Sequence, residues 1–417
     1  MGKLIIAGGN VIKGRVRISG AKNAALAILS ASVMAEGKVL LENIPDIDDL
    51  HVMIDIIRCL GAEVQWQEND SLTVQMPGRV KEMPPYEMAK KLRASNLLLG
   101  PLLARYRQVE LCLPGGCNIG VRPMDLHFKG LAALGARISL EKGAVRAFTH
   151  RLTGSRIYLD FPSVGATENI MMAACLAKGQ TVLENVAKEP EVVDLANFLN
   201  CLGARVRGAG TDIIKIEGVD GLGECIRYNV IPDRIEAGTY MIAAAATGGE
   251  VRLENVIPLH VEPLSAKLRE ANVEIFEEGD ALHVRAVNPI RPVDIKTMPY
   301  PGFPTDLQSQ MMALLSTAQG TSIIVENIFE NRFRVAEELK RMGAQIKIEG
   351  RLALIEGVPK LFGAQVKATD LRAGAALIVA GLMAEEETEI SNIYYIDRGY
   401  HRLEEKLASL GARAWRK

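Results

Sequence analysis

A glycine-rich segment in the first third of the chain places a thiol close to a guanidinium in sequence. It runs from Leu113 to Pro123 and reads LPGGCNIGVRP, so that Cys117 precedes Arg122 by five residues. Its glycines and prolines exclude a helix or a central strand and predict a surface loop. Cys117 is therefore either a tolerated loop residue or a reactive thiol near a cation, and both interpretations are open at this point.

The other five cysteines give a different expectation. Cys59, Cys112, Cys175 and Cys201 stand among aliphatic residues, which is typical of buried thiols, whereas Cys225 has no such context. Six cysteines at no metal-ligand spacing in so long a chain predict reduced thiols, with neither a disulfide framework nor a metal site.

Composition and charge restrict what this chain binds. Its 417 residues are 48% hydrophobic and 24% charged, which is typical of a globular protein with two or three domains. The formal net charge of −1 lacks the excess of Lys and Arg that nucleic-acid binding requires, and no apolar run suits a signal peptide or a membrane span. We expect a cytoplasmic protein with no nucleic-acid or membrane partner, which binds anions through a local cluster of cations.

An asparagine that follows an apolar and an acidic residue recurs along the chain. The copies, the last of them degenerate, are at Asn43, Asn185, Asn255, Asn327 and Asn392. Their intervals of 142, 70, 72 and 65 residues fit a repeat of about 70 residues. The doubled first interval predicts a hidden copy near residue 113, which is the cysteine segment. The chain is therefore predicted to contain six repeats.

Each repeat has the same predicted elements. It opens with a helix that is rich in Ala, Met and Leu on every face, as a helix buried on all sides would be. After the asparagine comes a second helix that ends at Leu-Gly-Ala or a similar triplet, with Asn272 replacing the glycine in the fourth repeat. Glycine or asparagine there suits a left-handed helix cap, and a pair of strands follows.

The sixth repeat ends before its second strand, and residues 3–9 resemble the strand that it lacks. We therefore expect an α/β fold of two domains, an inside-out α/β barrel with buried helices and outer sheets. Residues 1–20 together with 230–417 are predicted to form one domain from repeats four to six. Residues 21–229 are predicted to form the other from repeats one to three, with a cleft between the domains.

The buried helices carry their polar residues at their N-terminal ends. Helix N-termini attract anions, so carboxylates and hydroxyls there are explained equally well by helix capping or by a binding site. These residues are Ser163, Thr305, Asp306, Thr369 and Asp370. Capping does not explain the cations Lys22, Arg93, Arg234 and Arg372, which oppose the helix dipole and predict bound anions.

Seven motifs in this order resemble the enolpyruvyl transferase family, on its UDP-N-acetylglucosamine branch, from end to end of the chain. They are Ser19–Ala25, Leu113–Asp125, Pro232–Arg234, Phe303–Asp306, Glu330–Phe333, Thr369–Arg372 and Asp397–Tyr400. The resemblance implies two domains of three repeats each. It also implies a transferase that moves enolpyruvate from phosphoenolpyruvate to the 3′-hydroxyl of UDP-N-acetylglucosamine and releases phosphate.

This reaction proceeds by addition and elimination through a tetrahedral intermediate. In the family it is the first committed step of peptidoglycan synthesis, and thus belongs to cell-wall biogenesis, cell shape and cell division. The resemblance implies no cofactor and no metal, and phosphoenolpyruvate and UDP-N-acetylglucosamine as the small-molecule partners.

The resemblance also implies a role for individual residues. Lys22, Arg122 and Arg398 would hold the phosphate of phosphoenolpyruvate, and Arg332 and Arg372 would lie near its carboxylate. Cys117 would protonate the methylene carbon, form a pyruvate adduct and be the target of fosfomycin, while Asp306 would accept the hydroxyl proton. Catalysis would thus rest on Cys117, Asp306, Lys22 and Arg398. The sugar nucleotide would be lined by Asn23, Arg93, Arg122, Pro123, Met124, Asp125, Leu126, Ser163, Val164, Gly165, Asp306 and Ile328.

Two positions depart from the family pattern, and two other functions compete. Tyr300 stands where histidine is expected and Ala27 where proline is usual. A 5-enolpyruvylshikimate-3-phosphate synthase shares the chemistry, but that branch has no counterpart of the Gly-Gly-Cys segment. The other competitor is a repeat-built binding protein. A nucleic-acid clamp would need an excess of basic residues, which a net charge of −1 does not give. A catalytically silent paralogue should have lost some of its catalytic residues, but Lys22, Cys117, Arg122, Asp306 and Arg398 are all present.

Overall fold

The computed structural model describes residues 2–78, 92–112, 119–120, 124–141, 143–287 and 289–417. They form two compact units. The terminal unit contains residues 2–19, 119–120 and 232–417, and the inserted unit contains the other described residues between Gly20 and Ile231. Each unit has its own core of buried aliphatic side chains.

Helices and strands alternate along both units. The α-helices of the described residues are α1 Lys22–Ser32, α2 Asp48–Cys59, α3 Leu99–Tyr106, α4 Asp125–Ala133, α5 Val164–Ala174, α6 Pro190–Cys201, α7 Arg234–Ala246, α8 Pro258–Glu270, α9 Gln308–Leu315, α10 Val335–Arg341, α11 Leu371–Met383, α12 Tyr394–Asp397 and α13 Leu403–Ser409. Short 3₁₀ turns span Arg93–Leu98, Thr305–Leu307 and Arg332–Arg334.

The strands are short and are distributed over the whole described chain. They are β1 Leu4–Ala7, β2 Lys13–Arg17, β3 Lys38–Glu42, β4 Glu63–Gln67, β5 Ser71–Gln75, β6 Gln108–Cys112, β7 Arg137–Glu141, β8 Ala144–Phe148, β9 Arg156–Tyr158, β10 Gln180–Glu184, β11 Arg205–Arg207, β12 Ile213–Glu217, β13 Cys225–Asn229, β14 Glu250–Glu254, β15 Val273–Glu278, β16 Ala281–Ala286, β17 Ile295–Lys296, β18 Thr321–Val325, β19 Gln345–Glu349, β20 Leu352–Glu356, β21 Gln365–Lys367, β22 Glu387–Ser391 and β23 Arg413–Arg416.

The strands of the described residues form six sheets, three in each unit, and five of them share one topology. A parallel edge strand pairs with the strand that precedes the repeated asparagine, and two antiparallel strands follow, as in the order β17-β18-β20-β19. The described strands of the remaining sheet run in the order β6-β8-β7. In the last sheet, β1 pairs antiparallel with β22 and β23. The N-terminal strand thus has the central position that β20 has in its own sheet.

The repeated asparagines have a common structural role. Four of them turn the chain with a positive φ of 54° to 60°, a conformation that asparagine tolerates better than most residues: Asn43, Asn185, Asn255 and Asn392. All five asparagine side chains donate to the backbone carbonyl of the residue that directly follows the parallel edge strand of the same sheet. Each asparagine side chain therefore holds the end of the parallel edge strand of its sheet against the turn.

The predicted helix ends and buried helices are confirmed. The glycines of the Leu-Gly-Ala triplets have φ values of 80° to 102°, and Asn272 has a φ of 74°. Helices α5, α7 and α11 are buried along almost their whole length, and in α1 only Asn23 is exposed. A helix of small and aliphatic residues has no polar face to leave in water. Among the described residues, no helix has the length and apolarity needed to cross a membrane.

One expectation about the cysteines is wrong. Cys201 and Cys225 form a disulfide, with their Cα atoms 5.7 Å apart. Cys201 ends α6 and Cys225 begins β13, so the pairing depends on how these elements pack, which a spacing of 24 residues does not reveal. Of the other described cysteines, only Cys175 is fully buried, while Cys59 and Cys112 are half-buried.

Candidate active site

The cysteine segment is described only in part. Cys117, Arg122 and Pro123 lie outside the described residues. The next described residues are Ile119, whose carbonyl accepts from the backbone N–H of Asn331 at 3.1 Å, and Gly120. Gly120 has a φ of 148°, and a Cβ there would lie 2.4 Å from Oε2 of Glu330. Glycine suits this position because any other residue would strain the backbone at this φ, and its side chain would also displace the glutamate.

The terminal unit contains a carboxylate held by two arginines. Nη2 of Arg332 donates to Oδ1 of Asp306 at 2.6 Å, and Nη2 of Arg372 donates to Oδ2 at 2.8 Å. The side chains of the two arginines are 2% and 6% exposed, whereas that of Asp306 is 26% exposed. The structure thus brings together three residues of the predicted site, with the cations fixed inside the protein and the carboxylate nearer to water.

Local structure explains why both guanidiniums stay in place. Arg372 lies in the first turn of α11, whose N–H groups are capped by Asp370 through bonds of 2.9 and 3.1 Å. Burial alone lowers the pKa of the Arg372 guanidinium, but Asp306, with Tyr400 and Asp233, raises that pKa above its ordinary value. Arg372 therefore remains a cation at any pH at which the protein is folded.

Arg332 has a different environment. It begins a 3₁₀ turn, and its guanidinium carbon lies 5.7 Å from the centre of the Phe329 ring. Its Nε atom is buried and, within the described part of the chain, has no hydrogen-bond acceptor. A buried guanidinium with an unused donor is suited to receive a further anion.

The inserted unit contains a second group of the described candidates. Lys22 is the first residue of α1, and its Nζ lies 2.5 Å from Oδ2 of Asp49 in α2. Like Arg372, it pairs with a protein carboxylate, so the anion that its position predicts is supplied by the chain itself in this structure. Asn23 follows Lys22, and Arg93 begins a 3₁₀ turn.

Two further segments of this unit begin helices. Met124, Asp125 and Leu126 start α4, and Ser163, Val164 and Gly165 start α5. Oγ of Ser163 accepts from the N–H of Ala166 at 3.4 Å, so that this hydroxyl caps the helix.

His127 is a residue that the sequence analysis missed. It is buried in α4, and a Cβ on Gly165 would lie 3.3 Å from its Cε1 atom. Burial lowers the pKa of His127 to about 4, Arg93 lowers it too, and Asp125 opposes them. The imidazole is therefore neutral at pH 7. A lone histidine on an otherwise apolar helix face carries no sequence signal that separates a site residue from a core residue.

The hydrogen bonds of Asn169 determine the tautomer of this histidine. Oδ1 of Asn169 accepts from the N–H of Gly100 at 2.7 Å, which identifies the other amide atom as the donor. That Nδ2 atom donates to the carbonyl of Asn96 and to Nδ1 of His127, both at 2.9 Å. The neutral ring therefore carries its proton on Nε2, which lies beneath the first turn of α5.

The remaining candidates lie in the terminal unit. The N–H of Ile328 donates to Oε1 of Glu326 at 2.8 Å, and Arg398 follows directly after α12. Tyr300, which replaces the expected histidine, has its ring 5.8 Å from the guanidinium of Arg234. Among the described residues, no group of three His, Cys, Asp or Glu side chains is placed to hold a metal.

Comparisons with known proteins agree on one family. The family model described as EPSP synthase (3-phosphoshikimate 1-carboxyvinyltransferase) matches residues 6–407. A protein of Carboxydothermus hydrogenoformans named UDP-N-acetylglucosamine 1-carboxyvinyltransferase 2 is 56% identical over 415 residues, covering 99% of both chains. A Clostridium botulinum protein named UDP-N-acetylglucosamine 1-carboxyvinyltransferase is 55% identical over 413 residues, with the same coverage.

Solved structures have the same fold. The enolpyruvyl transferase NikO from Streptomyces tendae superposes with a TM-score of 0.90 at 27% identity, covering 100% of this chain and 99% of that one. An EPSP synthase from Acinetobacter baumannii gives a TM-score of 0.77 at 19% identity over 100% of both chains, which shows the fold alone. The chain therefore belongs to the EPSP synthase family of carboxyvinyltransferases.

Proposed function

We propose that this chain is a UDP-N-acetylglucosamine 1-carboxyvinyltransferase, which transfers the enolpyruvyl group of phosphoenolpyruvate to the 3′-hydroxyl of UDP-N-acetylglucosamine and releases phosphate. The observation that carries this proposal is the identity of 56% to a relative of that name over 99% of both chains. The Gly-Gly-Cys segment supports it, because the 5-enolpyruvylshikimate-3-phosphate branch has no counterpart of that segment.

The pair of buried arginines supports a binding site for a carboxylate. Arg332 and Arg372 present planar forks of N–H donors, which bind carboxylate oxygens two at a time. We assign them to the carboxylate of phosphoenolpyruvate, and we assign its phosphate to Lys22, Arg122 and Arg398. Several converging cations are needed because this small substrate carries charge at both ends.

The chemistry divides into an addition and an elimination. In the addition, the 3′-oxygen bonds to C2 of phosphoenolpyruvate, Asp306 accepts the hydroxyl proton, and the Cys117 thiol donates a proton to the methylene carbon. The product is a tetrahedral intermediate with a methyl group. In the elimination, the Cys117 thiolate takes back one methyl proton, the C2–oxygen bond to phosphate breaks and restores the double bond, and Asp306 gives its proton to the departing phosphate, so that both residues return to their starting state. Asp306 and Cys117 thus act as acid–base groups, Asp306 at the 3′-oxygen and Cys117 at the methylene carbon.

The sugar nucleotide is assigned to the helix starts of the inserted unit and to Ile328. Asn23, Arg93, residues 122–126 and residues 163–165 would line it. N–H groups at the start of α5 suit the diphosphate, because helix N-termini attract anions. We interpret the two units as the two three-repeat domains of an inside-out α/β barrel, and we place the reaction in the cytoplasm, at the start of peptidoglycan synthesis.

One assay tests the proposal against its alternatives. Phosphate release from phosphoenolpyruvate is measured with UDP-N-acetylglucosamine, with shikimate 3-phosphate and with no acceptor. Release that depends on UDP-N-acetylglucosamine is the expected result. Release that depends on shikimate 3-phosphate would identify the sister activity, and no release with either acceptor would indicate a silent paralogue.

A further inference from the structure

The glutamate of the repeated Glu-Asn pair has two different environments in this fold. In three repeats it ends a strand and forms an ion pair with an arginine at the surface: Glu42 with Arg227, Glu184 with Arg156, and Glu254 with Arg252. In the fifth repeat, β18 ends one residue earlier, at Val325. Glu326 therefore lies beyond the strand, and it is only 1% exposed.

The buried carboxylate of Glu326 is surrounded by hydrogen-bond donors. Its Oε1 accepts from the N–H groups of Ile328 at 2.8 Å and Phe329 at 3.1 Å, and from the Thr297 hydroxyl at 2.9 Å. Its Oε2 accepts from the Thr305 hydroxyl, also at 2.9 Å. Burying a charge costs several kcal/mol unless it is hydrogen-bonded, and these four bonds meet that requirement.

These bonds connect two segments of the candidate site. Thr305 directly precedes Asp306, and both belong to one short 3₁₀ turn. On the other side, Glu326 holds the backbone of Ile328 and of Phe329, whose ring contacts the guanidinium of Arg332. A single buried carboxylate thus sets the position of the residue that the mechanism uses as a base and the position of the arginine that binds that base.

We propose that Glu326 is a positioning residue for the transfer reaction. It acts through Thr305 to orient Asp306 toward the hydroxyl of the acceptor, and it acts through the 328–329 backbone to hold Arg332. This inference rests on the proposed function, because that function supplies the role of Asp306. Reacting groups must be held within a fraction of an ångström, so a loss of orientation lowers turnover even when all the reacting groups remain.

The chain offers a matched pair of substitutions to test this. Thr305→Val removes the hydroxyl that bonds Oε2 of Glu326 next to Asp306. Thr297→Val removes an equally long bond, to the other oxygen of the same carboxylate. Thr297 also accepts from the N–H of Asn327, so its loss removes more hydrogen bonds than the loss of Thr305. Thr305→Ser, which keeps the hydroxyl, is the rescue variant.

We expect Thr305→Val to lower kcat about tenfold or more, with KM for phosphoenolpyruvate changed less than about twofold. Thr297→Val should lower Tm at least as much and keep kcat, because Oε1 of Glu326 retains its two backbone donors. Thr305→Ser should restore kcat. Wild-type kcat in Thr305→Val, or losses of kcat that follow Tm in both valine variants, would overturn the proposal.

The outcome can be separated from a failure of the proposed function. If the wild-type protein releases no phosphate with UDP-N-acetylglucosamine, the proposed function is wrong. The positioning claim is then judged by amide hydrogen exchange at Asp306 and Leu307. Thr305→Val should speed this exchange and Thr297→Val should not, and unchanged exchange in Thr305→Val would overturn the claim.

Discussion

Asp306 bonds Arg372 through one carboxylate oxygen, and its other oxygen is taken by Arg332. The two arginines that we assign to the substrate carboxylate are therefore already occupied by a carboxylate of the protein. Since the guanidiniums are buried and Asp306 is partly exposed, the aspartate is the partner that can move. Arrival of the substrate carboxylate would loosen Asp306 from the arginines and make it available as a base.

The first prediction concerns this competition. Asp306→Asn should lower the rate of transfer by about 10²–10⁴, the usual range for an acid–base group. Binding of phosphoenolpyruvate in the presence of UDP-N-acetylglucosamine should be equal or tighter, because the amide competes less for the arginines. Single-turnover kinetics and calorimetry measure the two effects.

A control for this variant is Glu337→Gln, which removes an exposed carboxylate that pairs with Lys340 at 2.8 Å. An exposed pair of this kind contributes little, so both rate and binding should stay near wild type. A rate loss of less than about tenfold in Asp306→Asn would show that the aspartate serves only to neutralise the arginines.

The second prediction concerns the arginine fork. Arg372→Ala should weaken the binding of phosphoenolpyruvate by about 2–5 kcal/mol, since a substrate anion loses its partner in a desolvated site. Arg372→Lys should recover only part of this loss, because an ammonium lacks the planar fork. Arg285→Ala, which breaks an exposed pair with Glu274, is the matched control and should keep wild-type binding. If Arg372→Ala and Arg285→Ala bind phosphoenolpyruvate equally well, Arg372 does not bind the substrate carboxylate.

A third prediction follows from the neutral His127. Its pKa is about 4 in the folded protein and about 6.5 in an unfolded chain. Between these values the unfolded chain binds the proton and the folded chain does not. The free energy of unfolding therefore falls as the pH drops from about 6.5 to about 4, by roughly 3 kcal/mol from this residue alone.

His127→Gln should flatten this part of the stability profile, and His150→Gln, at an exposed position, should leave it unchanged. Denaturant unfolding at several pH values gives the comparison. Asp194, whose pKa is raised to about 6 by burial, acts in the opposite direction in the same range, which is why differences between variants are needed rather than one profile. Parallel profiles for wild type and His127→Gln would contradict the lowered pKa of His127.

The fourth prediction concerns the thiols. Fosfomycin, a phosphonate epoxide, should alkylate Cys117 and should do so faster with UDP-N-acetylglucosamine present. Two of the competing thiols are poor nucleophiles: burial raises the pKa of Cys175 to about 12, and burial and Glu110 raise the pKa of Cys112. The disulfide removes Cys201 and Cys225 from the reaction.

Peptide mass mapping identifies the labelled cysteine. Cys117→Asp should keep transfer activity and lose inhibition, because a carboxylic acid still donates a proton but is a weaker nucleophile toward the epoxide. Labelling at Cys59, or a labelling rate that does not change with UDP-N-acetylglucosamine, would show that Cys117 is an ordinary loop residue.

The sequence predicts those features that each repeat specifies locally. Gly61 and Asn272 predict helix ends, because few residues tolerate a left-handed backbone. The residues of α11 are apolar on every face, which predicts that the helix is buried. Features that arise where separate repeats meet are not predictable in this way. The Cys201–Cys225 bond, for example, depends on the packing of α6 against β13.

Glu326 illustrates the same limit within a recognised motif. Its sequence context matches that of Glu42, yet Glu326 is fully buried whereas the Glu42 side chain is 21% exposed and pairs with a surface arginine. The difference arises because β18 ends a residue early, and strand ends depend on neighbouring strands as well as on local sequence.

The position of β1 between β22 and β23 has a consequence for synthesis on the ribosome. Ala7 pairs with Glu387 and with Arg413, so this strand waits for partners that are made roughly 400 residues later. At roughly 5–20 residues per second, this wait lasts about 20–80 s. The inserted unit is complete in sequence at Ile231, long before β22 and β23 are made, so it can fold while β1 still lacks its partners. During this time the nascent chain exposes the apolar strand β1.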